Sequence, residues 1–275
     1  MSEIKTEKQG ALCAERIRAH LGEDAPPIFV YDSVSSTGDL ARARALLGGT
    51  SAVFIAEHQT AGRGRRGRSF ASPKGAGIYM SLLFYPSQTA KNGVLFTTGA
   101  AVAMCRAVED VTGLCPTVKW VNDLLLGEKK LCGILTEGSV APESGAFSYA
   151  VIGIGINVHS VPMPPEVERI ATALDKHTDR PIDRNFLAAR MIFRLLESLT
   201  EDRGAQMEIY RSLCPVVGKE VAVLRGEEQF AARVLAIGDS GELRIVKDGE
   251  EMLLSSGEIS IREVEEGKND GKIPD

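Results

Sequence analysis

Apolar and polar residues follow two different patterns along this chain of 275 residues, and the pattern changes near residue 215. Before that point, short β-rich apolar runs are mixed with segments of helical periodicity, which indicates an α+β domain. After it, five short β-rich runs lie within about 45 residues and are separated by the turn-like sequences RGEE, GDSGE and KDGEE. That close spacing predicts a small β-barrel.

The α+β part contains several predicted helices and strands. The sequence GEKK, between two apolar runs, predicts the turn of a β-hairpin. The long amphipathic helical pattern near the end of this part is interrupted near Gly204 and ended by Pro215. The helical patterns cover residues 39–47, 92–112 and 185–213, and the strand patterns are IFVYDSV, SAVFIAEH, GIYMSLLFY, VKW, LLL, KLCGILTEG and FSYAVIGIGINV.

Both ends of the chain differ from the middle. Near the start, ALCAERIRAHL reads as one short helix, closed by Gly22 and two prolines. The last residues are charged and contain glycine, as frayed termini often do. We therefore expect a helical extension at 1–27, a main α+β domain at 28–215, a small β module at 216–265 and a flexible tail at 266–275.

Composition narrows the class of protein. The net charge is −5, with 25% charged and 44% hydrophobic residues, which are ordinary values for a globular chain. A dedicated nucleic-acid binder usually carries a basic excess. The five cysteines are scattered and form no C-x-x-C pair, so neither a zinc site nor a disulfide framework is expected. The polar start of the chain resembles no signal peptide, and no apolar run could span a bilayer. We expect a cytoplasmic protein that does not bind membranes.

The most informative segment is QTAGRGRRGRSF, in which four arginines alternate with glycines. Glycine lets the backbone approach a ligand closely, and arginine offers planar donors for phosphate and carboxylate groups. The segment therefore predicts an anion-binding loop. A solvated basic loop or a nucleic-acid contact would have the same composition. The segment lacks the pattern of a phosphate-binding P-loop.

Three other segments carry candidate chemistry. Asn122 and Asp123 lie between two predicted strands, where they could face a ligand or Mg²⁺, and Lys130 opens the next strand. In GIGINV, glycines on a strand suggest the close approach of a ligand or of another backbone. In SVSSTGDL, hydroxyl groups could bind a small polar ligand. Each segment also has an ordinary interpretation: a turn, an exposed strand edge, a tight strand crossing or a helix cap.

Taken together and in this order, the segments SSTxxLA, ExQxAGRGRRGR, VKWxND, KLxGIL and GIGINV resemble those of biotin protein ligases. The resemblance covers about residues 28–160 by motif, and the C-terminal β module is similar to the SH3-like end domain of that family. It implies a mixed-sheet catalytic core of the class II synthetase type, followed by a small SH3-like β-barrel.

The resemblance also implies a reaction. Biotin and ATP, with Mg²⁺, would give biotinyl-5′-adenylate and pyrophosphate, and the biotin would then pass to a lysine of a carrier domain. The implied partner is the biotin carboxyl carrier domain of acetyl-CoA carboxylase or of a related carboxylase. Only about 27 residues precede the core, so we expect no winged-helix domain and no DNA binding. A homodimer is left open.

The residues that the resemblance implies fall into three groups. Among the catalytic residues, Arg63 would hold the biotin carboxylate and the α-phosphate, and Lys130 would stabilise charge at the phosphorus. Asp123 would assist loss of a proton from the acceptor lysine and bind Mg²⁺. The implied biotin contacts are Ser36, Thr37, Gly38, Gln59, Arg63, Gly64, Arg65 and Lys130. The implied nucleotide contacts are Arg65, Arg66, Arg68, Trp120, Asn122, Gly153, Gly155 and Asn157.

Three residues depart from the family pattern. Gly38 stands where asparagine is frequent, Val121 replaces a frequent proline, and Phe70 stands where some members have tryptophan. None of these removes a charged group. Two alternatives remain: a lipoate or octanoate ligase or transferase, which shares the catalytic architecture but lacks the arginine-glycine segment, and a nucleic-acid-binding protein that uses RGRRGR.

Overall fold

The computed structural model describes residues 10–86, 90, 92–225, 228–255 and 259–263. The chain divides into two compact units, Met1–Pro215 and Val216–Asp275. Each unit has its own β-sheet.

The first unit is built on a seven-stranded mixed sheet, in the order β1-β2-β3-β7-β6-β5-β4. Strands β1 and β2 pair in parallel, and all the other neighbours in this sheet pair antiparallel. The strands are β1 Ile28–Tyr31, β2 Ala52–Ala56, β3 Gly77–Phe84, β4 Thr117–Lys119, β5 Asp123–Leu126, β6 Lys129–Val140 and β7 Phe147–Asn157. The α+β class with a mixed sheet, predicted from the sequence, is confirmed. Strands β5 and β6 form the hairpin that GEKK predicts, with Gly127 at φ 61°.

Six α-helices accompany this sheet in the described part of the chain. They are α1 Ala14–Arg18, α2 Thr37–Leu46, α3 Gly93–Thr112, α4 Pro165–Ile170, α5 Arg184–Thr200 and α6 Arg203–Leu213. The predicted interruption near Gly204 lies slightly earlier, between α5 and α6. There the Asp202 side chain accepts a hydrogen bond from the Ala205 amide and so caps a new helix. None of the described helices is long and apolar enough to cross a membrane.

The core forms on both sides of the central strands. Every residue of β3 is buried, which requires cover on both faces of the strand. Helix α2 packs on β2, β3 and β7, where Ala41 meets Phe54, Leu83 and Val151. Helix α3 packs against β5, β6 and β7 and also against α5 and α6. The sheet is therefore a rigid support for residues at its strand ends.

A buried ion pair fixes the segment that precedes α1. Arg184 and Glu57 pair at 2.8 Å, with side chains only 6% and 8% exposed. The Leu12 amide donates to Glu57 at 2.7 Å, and Arg184 donates to the Gly10 carbonyl at 2.6 Å. Asn185 adds hydrogen bonds to the same segment. Buried charges are stable only when they are paired and hydrogen-bonded, as these are.

The second unit is a five-stranded antiparallel sheet in the order β11-β10-β9-β8-β12. Its tight turns use backbone with positive φ at Gly241, Asp248 and Gly249. This arrangement of short strands agrees with the predicted SH3-like module. The strands are β8 Glu220–Arg225, β9 Glu228–Ile237, β10 Leu243–Lys247, β11 Glu250–Leu254 and β12 Ile259–Glu263.

The buried ion pair gives a stability prediction. Glu57→Gln leaves the Arg184 guanidinium buried without its counter-charge, so we expect the free energy of unfolding to fall by about 3 kcal/mol or more. Urea unfolding followed by the fluorescence of Trp120, the single tryptophan and a buried residue, measures this loss. The matched control is Arg16→Ala, which breaks the exposed pair with Asp183 and should cost under about 1 kcal/mol. Equal losses in the two variants would contradict the prediction.

Candidate active site

An open cleft of about 600 Å³ lies where strands β3, β6 and β7 meet the start of α2 and the arginine-glycine loop. This figure includes the solvent space at the mouth of the cleft, which is an open groove and not an enclosed cavity. Most of the residues predicted from the sequence line this one cleft, although they come from segments far apart in the chain. These are Ser36, Thr37, Gly38, Gln59, Arg63, Gly64, Arg65, Asn122, Lys130, Gly153 and Gly155.

Five of the predicted residues lie outside the lining. Arg66 and Arg68 are exposed on the loop. Trp120 is buried in the protein, with 4% of its surface exposed. Asn157 donates a hydrogen bond to the Thr172 carbonyl at 3.0 Å, and Asp123 lies behind Lys130. Their assignments to nucleotide or metal remain predictions.

One end of the cleft is polar and buried. The Gln59 side-chain oxygen accepts from the Thr37 amide at 2.9 Å, and the Thr37 and Ser81 hydroxyls lie 2.8 Å apart. Ser36 precedes α2 but makes no capping hydrogen bond through its side chain. Its hydroxyl lines the cleft, so the capping interpretation of this segment does not apply to Ser36. Ser36 and Thr37 are nevertheless buried, which suits hydrogen bonding to a small polar ligand.

The arginine-glycine segment folds as a narrow loop. The Gly64 amide donates to the Arg68 carbonyl at 2.7 Å, and the Phe70 amide donates to Gly62 at 2.9 Å. Between these bonds, Arg66 and Gly67 adopt positive φ angles of 59° and 72°. Glycine is needed at position 62, because a Cβ atom there would lie 2.5 Å from the Phe70 carbonyl oxygen and 2.7 Å from the Ser72 hydroxyl. From this loop Arg63 reaches Asp39 and Arg65 reaches Asn122.

Arg65 and Lys130 are joined through the Asn-Asp pair. Arg65 donates to the Asn122 side-chain oxygen at 3.0 Å, and the Asn122 amide donates to Asp123 at 3.1 Å and to the Ile134 carbonyl at 2.9 Å. Asp123 in turn pairs with the Lys130 ammonium at 2.8 Å. Burial lowers the pKa of the Arg65 guanidinium, which still remains charged at neutral pH. The Asn-Asp segment therefore orients two cations toward the cleft.

The turn that carries this pair is held from behind by helix α6. The Tyr210 hydroxyl donates to the Val121 carbonyl at 3.1 Å, and burial raises the pKa of this tyrosine well above its ordinary value. The peptide between Trp120 and Val121 is cis. Val121, which stands in place of the frequent proline, therefore lies in a turn that Tyr210 of helix α6 holds through a hydrogen bond.

Glycines on β6 and β7 form a flat support beneath Phe70. Gly133 and Gly155 face each other across the two strands. A Cβ atom at Gly155 would lie 2.7 Å from Cζ of the Phe70 ring, and one at Gly133 would lie 3.1 Å from the Lys130 ammonium. The Lys130 ammonium lies 5.8 Å from the centre of that ring. The glycine spacing therefore reflects close approach by an aromatic side chain, which the sequence alone did not identify.

Sequence reasoning gave no role to several lining residues on the strands, some of which lie within the motifs KLxGIL and GIGINV and some of which belong to no motif. Ser81 could have been found from the sequence, since a polar residue within the otherwise buried and mostly apolar run of β3 is unusual. Glu137 could not have been found in this way, because it lies seven residues beyond Lys130 in an ordinary strand pattern. The missed lining residues are Met80, Ser81, Gly133, Ile134, Leu135, Glu137, Val151 and Ile154.

The donor groups of the site offer little for a protein-bound metal. Among the described residues, no group of three or more His, Cys, Asp or Glu side chains could hold a metal ion. Near Lys130 the available oxygens are those of Asp123 and Asn122, and both residues already bind cationic side chains. Magnesium in nucleotide sites is commonly held by one or two carboxylates together with substrate phosphates. The residues fit a metal that is bound mainly by phosphates, with Asp123 as its one carboxylate.

The cleft and the mixed sheet place the chain in a class of protein ligases. Residues 34–157 match the model of the Biotin/lipoate A/B protein ligase family. A Mycobacterium tuberculosis protein named biotin--[acetyl-CoA-carboxylase] ligase is 32% identical over 83% of this chain and 87% of its own length. The Bacillus subtilis bifunctional ligase/repressor BirA is 31% identical over 86% of this chain and 75% of its own length.

A solved structure agrees with these relatives. The biotin protein ligase of Aquifex aeolicus, in complex with biotin and ATP, aligns with a TM-score of 0.74 and 27% identity. The alignment covers 86% of this chain and 99% of that one. This chain belongs to the biotin protein ligase family, as the motifs predicted.

The glycine support gives a prediction that is independent of activity. Gly155→Ala should force the Phe70 ring to move and should destabilise the protein by about 1–3 kcal/mol. Gly153→Ala is the matched control, because its Cβ atom would lie 3.4 Å from the Leu135 carbonyl, in ordinary contact. Adding Phe70→Ala should largely cancel the cost of Gly155→Ala in a double-mutant cycle measured by thermal unfolding. Additive effects of the two substitutions would contradict the contact.

Proposed function

We propose that this protein activates biotin with ATP and transfers it, through biotinyl-5′-adenylate, to a lysine of a biotin carboxyl carrier domain. The observation that carries the proposal is one continuous cleft with a buried polar end and converging cations. Thr37, Gln59 and Ser81 form the polar end, and Arg65 and Lys130 supply positive charge. A carboxylic acid with a polar ring fits such a cleft.

Binding of biotin follows from the polar end. The hydroxyls of Ser36, Thr37 and Ser81 and the Gln59 amide offer donors and acceptors for the ureido ring. Apolar strand residues line the middle of the cleft and would contact the rest of the molecule. Because these polar groups are buried, an analogue without the ureido group would leave them unpaired. Glycine at position 38 has no side chain to contact biotin, so the neighbouring residues would make the contacts at this end of the cleft.

Adenylation requires two anions to meet. A biotin carboxylate oxygen attacks the α-phosphorus of ATP, the bond from that phosphorus to the bridging oxygen breaks, and pyrophosphate leaves. Lys130 would stand between carboxylate and α-phosphate and stabilise the added negative charge, and Arg63 would hold the same groups. Asp123 keeps the Lys130 ammonium in place. Mg²⁺ accompanying ATP would neutralise phosphate charge, with Asp123 as a neighbouring carboxylate.

Transfer is the second step. The acceptor lysine must lose a proton before its nitrogen attacks the carbonyl carbon, and AMP then leaves. We assign Asp123 as the carboxylate that assists this proton loss.

The nucleotide would be held by residues around the arginine-glycine loop. Arg65 and Asn122 would contact the phosphate, and Gly155 with Phe70 would border the nucleotide. Arg66 and Arg68 would join them if the loop closed over the adenylate and excluded water. Trp120 and Asn157, which are engaged inside the protein, would support these walls from behind.

The partner follows from the chemistry and from the relatives. The Mycobacterium tuberculosis relative is named for acetyl-CoA carboxylase, and the proposed acceptor is the carrier domain of that enzyme or of a related carboxylase. A cytoplasmic location suits this partner and remains a prediction from the sequence.

The reaction is tested by mass spectrometry of a purified carrier domain incubated with this protein, biotin and MgATP. We expect the mass of one biotin to be added to the carrier, and no change when its acceptor lysine is replaced by arginine. Lipoate in place of biotin should give no product. Modification by lipoate alone, or no modification beside an active control ligase, would overturn the proposal.

The role of Lys130 gives a separate prediction. Lys130→Ala removes the ammonium beside the reacting groups, so biotin-dependent pyrophosphate release without acceptor should fall by about 100-fold or more. The neighbouring Lys129 is the matched control, because its ammonium donates to the Glu168 carbonyl at the surface. Lys129→Ala should release pyrophosphate at a near-normal rate. Similar rates in both variants would remove Lys130 from the mechanism.

A further inference from the structure

Arg63 lines the cleft, and acidic side chains of this protein bind its guanidinium there. Its Nη2 atom lies 2.7 Å from Oδ1 of Asp39 and 3.9 Å from Oε2 of Glu137. Arg42 pairs with the same two carboxylates, at 2.6 Å for Glu137. We call these three residues, Asp39, Arg42 and Glu137, the arginine dock. The dock joins helix α2 to strand β6 beside the polar end of the cleft.

The Arg63 guanidinium also lies close to the residue before Asp39. A Cβ atom at Gly38 would lie 3.6 Å from Nη2 of Arg63 and 3.8 Å from the Ser81 hydroxyl. The guanidinium therefore lies against the place where a side chain at position 38 would begin. Asp39 lies in the first turn of α2, where the helix dipole favours a carboxylate. Aspartate at 39 therefore supplies the counter-charge of Arg63 next to the polar end of the cleft.

The charges of the dock matter for an anionic ligand. Together with Arg63, the dock contains two arginines and two carboxylates and so has no net charge, and an incoming carboxylate meets a guanidinium that is already neutralised. Asp39 is 44% exposed and Glu137 36% exposed at their side chains, so the dock is an exposed network and not a permanent buried pair. A ligand carboxylate can therefore compete for Arg63, and the fraction of protein with Arg63 undocked scales the ligand's apparent affinity.

We propose that Asp39, assisted by Glu137 and Arg42, is a positioning residue that binds Arg63 and competes for it with the carboxylate of biotin. The dock thereby sets the affinity for the acid substrate. This inference rests on the proposed function, because it takes biotin as the ligand. It concerns residues of this chain that line or adjoin the cleft and that no sequence motif singled out.

The test is calorimetric titration of the full-length protein with biotin and with biotinamide, which carries an uncharged amide in place of the carboxylate. Asp39→Asn removes the competing charge while keeping the side-chain shape. We expect biotin to bind the variant about two- to fivefold more tightly, as expected for loss of an exposed ion pair. The affinity for biotinamide should not change, because an uncharged ligand does not compete for Arg63.

Salt separates the dock from a merely structural role. In the unaltered protein, added potassium chloride weakens the dock as well as the contact between ligand and Arg63, so the two effects partly cancel. In Asp39→Asn only the second effect remains. The biotin affinity of the variant should therefore fall more steeply with salt than that of the unaltered protein. In adenylation assays, KM for biotin should decrease while kcat changes little.

Two further variants complete the design. Asp179→Asn changes the net charge equally at an exposed site outside the cleft lining and should leave both affinities unchanged. Glu137→Gln, whose contact with Arg63 is longer, should act in the same direction as Asp39→Asn but less strongly. It also keeps the proposal testable if Asp39→Asn folds poorly.

Unchanged or weaker biotin binding in both dock variants would overturn the proposal, and so would an equal gain for biotinamide. Failure of the proposed function is distinguishable, because the unaltered protein would then bind neither compound.

Discussion

The site depends on holding several positive charges in one cleft without letting them repel one another or turn away. Each of three cationic side chains is held by a hydrogen-bond acceptor of the protein itself. Arg65 binds the Asn122 amide oxygen, Lys130 binds Asp123, and Arg63 binds Asp39. These acceptors differ in charge, so the three cations are not equally neutralised. Arg65 hydrogen-bonds a neutral amide and lies in the field of Asp123, whereas Arg63 forms an ion pair directly with a carboxylate. The positive charge offered to an anion is therefore balanced by acceptors of the protein itself.

The sheet makes this arrangement possible through its register. Because Gly133 pairs with Gly155, two residues without side chains meet at the same place on adjacent strands. The ring of Phe70 and the stem of Lys130 can then lie directly on the backbone. A shift of one residue would move these glycines to the other face and close the space. The hydrogen bonds of a central sheet thus determine where a mobile side chain from a loop can rest.

Much of this was predictable from sequence, because the relevant information is local. The arginine-glycine loop, the Asn-Asp pair and the glycine-rich strand are each contiguous, and their order identified the family. Long-range pairs were not predictable in this way. Glu57 meets Arg184 across 127 residues and Arg42 meets Glu137 across 95, and nothing in either local sequence names its partner. The break between α5 and α6 was predicted a few residues late, because Asp202 stops one helix by capping the next.

The departure at Gly38 is best understood from the same long-range view. Taken from the sequence, it suggests only a missing contact to the substrate. In the fold, the Arg63 guanidinium lies 3.6 Å from where a Cβ atom at position 38 would be, and Asp39 supplies the opposite charge. Neutralising a cation in the cleft reduces the attraction for every small anion, whereas a ligand that also fills the polar end retains its other contacts. Weaker binding of the carboxylate can thus raise the discrimination between the whole ligand and other small anions. The remaining affinity must then come from groups that recognise the rest of the ligand.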